Sequence, residues 1–280
     1  MTEPAVSASR SWLFTPGTRP DRFAKASAVG ADVAIIDLED SVAPNEKESA
    51  REVALGYLAS PRNARVRIAL RINGLDKAAG VADVNALLHR RTWPDFLVLP
   101  KTETSGHLQI LDRLLAAAGA NTHLIGIVES AAGLAAVEAI SAATPRLAGL
   151  MLGAADLAAD LGADAAWEPL AFARSRLVAA SALHAVMPID SPFFDIHDER
   201  GLREETGRAV ALGFESKAAI HPNQIAIINA ALTPTEAAVA RARAIIAENA
   251  KGIGTVGGEM IDEAVARKAR RLLAAAAIAH

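Results

Sequence analysis

The chain of 280 residues contains no cysteine, which excludes disulfides, thiolate metal sites and cysteine nucleophiles. Aromatic residues are scarce, at 4%, against 51% hydrophobic residues, and neither sign of charge dominates the net value of -3. With Lys and Arg dispersed along the chain, nothing marks an electrostatic surface for nucleic acid or for an anionic membrane. No apolar run approaches the length of a membrane span, and the opening "MTEPAVSASR" carries an acid and a proline where a signal peptide needs an apolar core. A cytoplasmic enzyme of one large domain or two small ones is the expectation. The seven histidines form no H-x-H or H-E-x-x-H pattern, which argues against zinc. No G-x-S-x-G elbow or P-loop occurs, which argues against a serine hydrolase or a P-loop ATPase.

Tight hairpin signals are also nearly missing. What recurs instead is a short aliphatic run followed by an Ala/Leu-rich segment of helical spacing. The runs are "SWLFTP", "DVAIIDLE", "RVRIALRING", "DFLVLPK", "HLIGIVES", "LAGLMLGAADL", "VMPIDSP" and "SKAAIHP". Continuously apolar strands alternating with helices imply a parallel sheet covered on both faces, and eight units in about 220 residues suit a (β/α)8 TIM barrel, with a doubly wound sheet as the alternative. Polar residues gather where the runs end, at Arg71, Lys101, Glu129, Asp156, Asp190 and His221. That favours the barrel, whose active sites lie at the C-terminal strand ends. The barrel domain is read over 1–230 and a C-terminal helical extension or lid over 231–280. The extension holds "LTPTEAAVARARAIIAEN", with a helix start at Thr233 or Thr235, then a glycine-rich break and a final helix. "GIGTVG" (Gly252 to Gly257) matches a dinucleotide fingerprint but follows a helix, and is read as a flexible loop.

In "DVAIIDLEDSVAP" three acids, Asp37, Glu39 and Asp40, fall within four residues. Strand alternation sends Asp37 and Glu39 inward with Val33 and Ile35, while Ile36 and Leu38 face the helices. Carboxylates inside a barrel need compensating cations, and Arg71 and Lys101 end the next two strands. A structural ion-pair network would serve as well as a functional site. Glu129 and Asp156 each follow an apolar run one strand-helix unit apart and should converge at adjacent strand ends, as two hard oxygen ligands suited to Mg²⁺ with room for water and substrate. Asp156 could instead cap the following helix; for Glu129, Ser130 is the better cap. Asp160 and Asp164 read as caps. Arg19, Arg22 and Lys25 recur at three-residue spacing in the loop after the first strand, either an anion site or an ordinary basic surface stripe. His221 either orients a ligand or bonds the turn at Pro222.

Taken in order, "LFTPGTRPDRFAKA", "IIDLEDSVAPNEKESAR", "LRING", "LPKTE", "IVESAAGL", "LGAADLAADLG", "AIHPNQI" and "GGEMIDEAVARKA" resemble the citrate lyase β-subunit (CitE-like) proteins, within the wider group of Mg²⁺-dependent HpcH/HpaI aldolases and malyl-CoA lyases. The resemblance runs from about Arg10 to the last helix. It implies a (β/α)8 barrel assembled as a homotrimer or dimer of trimers, using Mg²⁺ (or Mn²⁺) and coenzyme A as part of the substrate. The implied reaction cleaves or forms the bond between an acetyl-CoA carbon and a 2-oxo acid. Alternatives are a citryl-thioester β subunit working with a carrier, a pyruvate aldolase independent of coenzyme A, and a non-enzymatic barrel that binds a 2-oxo acid.

By the same resemblance Glu129 and Asp156 are the metal ligands, and Arg71 grips the substrate carboxylate or carbonyl. Following the strand ends round the barrel leaves the first three acids a supporting role, in which Glu39 and Asp40 hold metal-bound waters and Asp37 pairs with a cation such as Arg71 or Lys101; Glu39 is also counted among the catalytic residues. Pro16, Gly17, Arg19, Arg22, Lys25, Lys101, Gly153 and Ala154 line the substrate and coenzyme A, and Asp262 in "EMID" is a catalytic acid lent to a neighbouring subunit. Two departures stand out: Ala132 where relatives carry a basic residue, and Glu215 with Ser216 where glycine is commoner.

Overall fold

The eight runs form eight parallel strands that close on themselves in chain order: β1 (Ser11–Pro16), β2 (Val33–Asp37), β3 (Arg67–Arg71), β4 (Phe96–Leu99), β5 (His123–Val128), β6 (Leu147–Leu152), β7 (Met187–Asp190) and β8 (Ser216–Ala219). This is a computed structural model, and it describes residues 9–61, 66–251 and 254–278. β8 pairs with β1 in parallel, so no strand is left as an edge. The barrel, rather than the doubly wound sheet, is therefore the fold.

Alternation along each strand sorts the side chains into two apolar layers. Trp12, Val33, Ile35, Phe96, Ile127 and Ile189 fill the barrel interior. Ile36, Leu38, Leu70, Leu97, Leu124 and Leu150 belong to a larger layer packed beneath the helices. Because both faces are covered, the strands carry aliphatic residues at nearly every position, which hides the period of two that an exposed sheet would show.

The register decides what meets at the mouth. Pro16 lies opposite Asp37, Asp37 opposite Arg71, and Arg71 opposite Val98. The last inward positions of β2 and β3 are thus an acid and a base on neighbouring strands at one level.

After the helix Gln224–Leu232 the chain builds a separate small core. Thr235 caps the helix Glu236–Asn249 by accepting from Ala238 N–H. That helix packs with the last one, Glu263–Ile278, around Ala242, Ile245, Ile261 and Ala269. Between the two lies a departure from the loop reading of "GIGTVG". Gly252 falls outside the described residues, but Gly254–Val256 is a strand, β9, antiparallel to β10 (Glu259–Ile261). Gly257 and Gly258 form its turn with φ of 61° and 84°. A two-residue hairpin turn of this kind needs positive φ at both positions, which glycine adopts without a Cβ penalty. A glycine pair between two short runs, here Val256 and Glu259 on either side, is a hairpin signal, which the loop reading passes over.

Candidate active site

At the C-terminal mouth of the barrel Asp37 ends β2 and is almost fully buried. Both of its oxygens are committed. Arg71 Nε donates to Oδ1 at 2.6 Å and Nη2 to Oδ2 at 2.8 Å, while the N–H groups of Glu39 and Ser41 donate to the same carboxylate at 2.8 and 3.1 Å. Burial alone would raise this acid; the Arg71 guanidinium, helped by the Ser41 and Glu39 donors, outweighs it and holds the carboxyl below its usual range. For Arg71 burial likewise works against the charge, and Asp37, Glu39 and Asp40 more than restore it. The guanidinium lies 4.9 Å from the centre of the Phe14 ring, so an inward aromatic of β1 supports it from one face. A bidentate pair backed by a ring leaves Arg71 little rotational freedom, and its Nη1 faces Glu39 and Asp40 at 2.8 and 3.4 Å.

Glu39 is buried, and its two oxygens differ. Oε1 accepts from Lys101 Nζ at 3.0 Å. Oε2 lies 2.8 Å from Arg71 Nη1 yet off the line of its N–H, and is left without a hydrogen bond. Burial, reinforced by the charge of Asp40, pushes this carboxyl up despite the two cations. Lys47 Nζ fixes the turn below by donating to the carbonyls of Leu38 and Glu39 at 2.8 and 2.6 Å.

Glu129 follows β5 and is 4% exposed. Its Oε1 accepts from the Lys101 backbone N–H at 2.7 Å. Burial, against that one donor and with the charges of Glu39 and Asp156 adding to it, pushes the carboxyl up to about 8. An acid so placed is poised to exchange its proton for a cation. Gly153 makes this arrangement fit: a Cβ there would lie 2.4 Å from Glu129 Cβ and 2.5 Å from Oε2. Ser130, not Glu129, caps the next helix, by accepting from Gly133 N–H.

Asp156 stands in the first turn of the helix Ala154–Leu161, which follows β6 and has no side-chain cap, so capping is not its task. It is exposed, and its Oδ2 lies 4.0 Å from Lys101 Nζ. Asp160 does cap, but the start of the neighbouring helix, accepting from the N–H of Ala131 at 2.6 Å.

Lys101 ties the cluster together, pairing with Glu39, and those acids outweigh burial to hold its ammonium above the ordinary lysine range. Among the described residues no three or more His, Cys, Asp or Glu converge on one point. Two carboxylates on adjacent strands, the orphaned Glu39 Oε2 and an open mouth still fit Mg²⁺, which takes one or two carboxylates and completes its shell with water and substrate.

Three sequence readings change here. Asp190, counted among the strand-end groups of the mouth, turns the other way. Met187 and Ile189 take the inward positions of β7, and Asp190 enters a buried cluster outside the barrel wall. There Lys217 donates to Asp190 at 2.5 Å and to Glu205 at 2.9 Å, Arg174 donates to Asp190 at 3.1 Å, and the Arg174 guanidinium lies over Trp167 at 4.5 Å. The basic stripe of the first loop is not three free cations. Asp21 pairs with Arg19 at 3.0 Å and with Lys25 at 3.6 Å, and the segment breaks into two short turns, Pro20–Phe23 and Lys25–Ala28. His221 serves its own turn, Nδ1 accepting from Asn223 N–H. Asp262 caps the last helix by accepting from Val265 N–H at 2.9 Å and makes no hydrogen bond or ion pair with the mouth among the described residues.

Sequence reasoning missed the support of the loop after β3. Asp83 accepts from Asn73 N–H at 2.9 Å, from Asn73 Nδ2 at 2.7 Å and from Arg51 Nε at 2.7 Å. The signal was available: Asp83 sits on the buried face of its helix with Gly80, Val84 and Leu87, where an acid needs a reason.

A closed parallel barrel that gathers a guanidinium, an ammonium and five carboxylates at its C-terminal mouth defines a (β/α)8-barrel enzyme acting on small molecules. More narrowly, the chain belongs to the HpcH/HpaI aldolase/citrate lyase family, whose model matches residues 10–222. It is 38% identical over 279 residues to the L-malyl-CoA/beta-methylmalyl-CoA lyase of Cereibacter sphaeroides (strain ATCC 17025), covering 90% of this chain and 88% of that one. Among solved structures it is similar to RipC from Yersinia pestis, with 56% identity, a TM-score of 0.75, and 83% and 98% of the two chains covered. It is also similar to CitE from Mycobacterium tuberculosis in complex with magnesium, acetoacetate and coenzyme A, with 34% identity, a TM-score of 0.81, and 96% and 98% covered.

Proposed function

We propose that this chain is a Mg²⁺-dependent carbon–carbon lyase that cleaves, or in reverse forms, a 3-hydroxyacyl-CoA thioester such as citramalyl-CoA or malyl-CoA, giving acetyl-CoA and a 2-oxo acid. The observation that carries this reading is that a buried Glu129 and an exposed Asp156 follow adjacent strands at the same mouth where Asp37 holds Arg71 still. The malyl-CoA lyase relative and the CitE complex with magnesium and coenzyme A support the substrate class and the metal.

Retro-Claisen cleavage needs a base for the hydroxyl, compensation of charge as that carbon becomes a carbonyl, and control of the thioester enolate that leaves. Glu129 and Asp156 would hold a divalent cation, which would supply Lewis-acid polarisation of the hydroxyl. Arg71 receives the neighbouring carboxylate through Nη1, the terminal nitrogen that Asp37 does not bind, in exchange for its contacts with Glu39 and Asp40. Glu39, with one oxygen lacking a hydrogen bond, holds water or the hydroxyl proton beside it. Gly153 and Ala154 bring backbone close to the same point, and Pro16, Gly17, Arg19, Arg22 and Lys25 border the path of the coenzyme.

The extension 231–280 acts as a lid on a neighbouring subunit of a trimer, and Asp262 there exchanges a proton with the acetyl carbon. The reading is tested by incubating the purified protein with Mg²⁺ and a panel of malyl-, methylmalyl-, citramalyl- and citryl-CoA. Acetyl-CoA release from one of them is expected, and release from none sinks the proposal. Full turnover in Asp262→Asn, with turnover lost in Glu129→Gln, would remove the lid role alone.

A further inference from the structure

Three described non-glycine residues have positive φ. Arg91 and Ala185 do so just past helix ends, where left-handed residues are routine. Lys101, at 48°, does so after a strand. A residue with a side chain stays in that region only when its surroundings over-determine it. Here they do: the Lys101 N–H is aimed at Glu129 Oε1 at 2.7 Å, and the next N–H, of Thr102, donates to Ile127 O at 3.0 Å. The twist also sends the side chain over the mouth, where Nζ reaches Glu39 Oε1 at 3.0 Å on one side and Asp156 Oδ2 at 4.0 Å on the other. One residue thus touches carboxylates following β2, β5 and β6.

We infer that Lys101 sets the divalent-cation affinity of this mouth: its backbone N–H orients Glu129, while its ammonium is a resident counter-cation shared by Glu39 and Asp156 that a divalent ion must oppose in order to bind. The inference rests on the reading of Glu129 and Asp156 as the cation's ligands. It separates two roles that a substrate-contact assignment merges. Every substitution at 101 except proline keeps the N–H that aims at Glu129, and a neutral side chain there removes the charge alone. Repulsion between a single and a double positive charge a few ångströms apart corresponds, even at the dielectric of water, to about tenfold in affinity.

The test is calorimetric titration of the full chain with Mg²⁺, using wild type, Lys101→Met, Lys101→Arg and Lys101→Gly, with thermal melts alongside. Glycine suits the positive φ and guards against a methionine variant that folds poorly. Methionine and glycine should each bind Mg²⁺ about tenfold tighter than wild type, and arginine within a few-fold of it. Unchanged or weaker Mg²⁺ binding in both neutral variants overturns the inference. So does a rise in the Michaelis constant for the 2-oxo acid with Mg²⁺ affinity unmoved, which would make Lys101 a substrate contact. Wild type that binds no Mg²⁺ removes the metal reading itself and this inference with it, whereas wild-type binding with flat neutral variants removes this inference alone.

Discussion

Replacing Glu129 by glutamine should make the cation-stripped protein more stable, by an amount that grows with pH. In the fold Glu129 holds its proton up to about 8, against an ordinary value of 4.5. The folded state therefore binds this proton more tightly than the unfolded one. Stability from this group is fully present below pH 4.5 and is lost as pH rises through 8. At pH 7 the loss spans 7 − 4.5, about 2.5 pH units, and at 1.4 kcal/mol per unit it comes to ~3.5 kcal/mol. Above pH 8 it levels off near ~5 kcal/mol. Glutamine keeps the shape and an oxygen to accept the Lys101 N–H, and it cannot ionise. Asp37, held below its usual range, titrates in the opposite sense at lower pH and is common to both proteins. The assay is urea unfolding in a chelating buffer from pH 5 to 8.5. Wild type should fall behind the variant by about 3 kcal/mol or more across that range. Added Mg²⁺ should restore wild type, increasingly so at higher pH because binding displaces the proton, and should do nothing for the variant. Curves that stay parallel within about 1 kcal/mol would refute the assignment of a buried, proton-holding Glu129.

Gly153→Ala should cost about 1–3 kcal/mol in urea unfolding and weaken Mg²⁺ binding at least tenfold by calorimetry, because its Cβ would lie 2.4 Å from Glu129 Cβ, an atom that cannot swing aside without its strand. Asp37→Asn should cost about 3–5 kcal/mol in urea unfolding, since it strips a buried guanidinium of its bidentate partner, and turnover per folded molecule should fall with it. Lys217→Met should cost a similar few kcal/mol by leaving Asp190 buried and less compensated, yet leave the Michaelis constant and turnover unchanged, because that cluster lies outside the barrel wall. A fall in turnover per folded molecule there would mean the cluster reaches the mouth.

Local pattern carried the fold far. Eight apolar runs separated by helical spacing matched eight strands, since a strand covered on both faces has nearly every position apolar and a helix between each pair forces parallel pairing. The inward set of β2, Val33, Ile35 and Asp37, followed from alternation alone. Errors fell where a neighbour in space outvotes the pattern. Asp190 ends a strand as Asp37 does, but its parity faces outward, and Lys217 and Arg174 from β8 and from a helix complete its environment. In the first loop the spacing of the basic residues left two readings open, and it did not show that Asp21 pairs with two of the three cations. The Gly257–Gly258 hairpin is legible in the sequence, since two adjacent glycines supply the positive φ at both turn positions.

What the sequence by itself determined is the set of chemical parts and their order: a barrel built of eight units, an arginine after the third, a lysine after the fourth, carboxylates after the fifth and sixth. Which oxygen each cation takes was decided only by tertiary structure. Strand register put Asp37 level with Arg71, and a left-handed backbone turned Lys101 toward Glu39 and Glu129 at once. Closure of the barrel brought residues 62 positions apart, Glu39 and Lys101, to 3.0 Å. Hydrogen bonds and ion pairs act over a few ångströms, a distance that sequence separation does not encode and that only the closed sheet supplies.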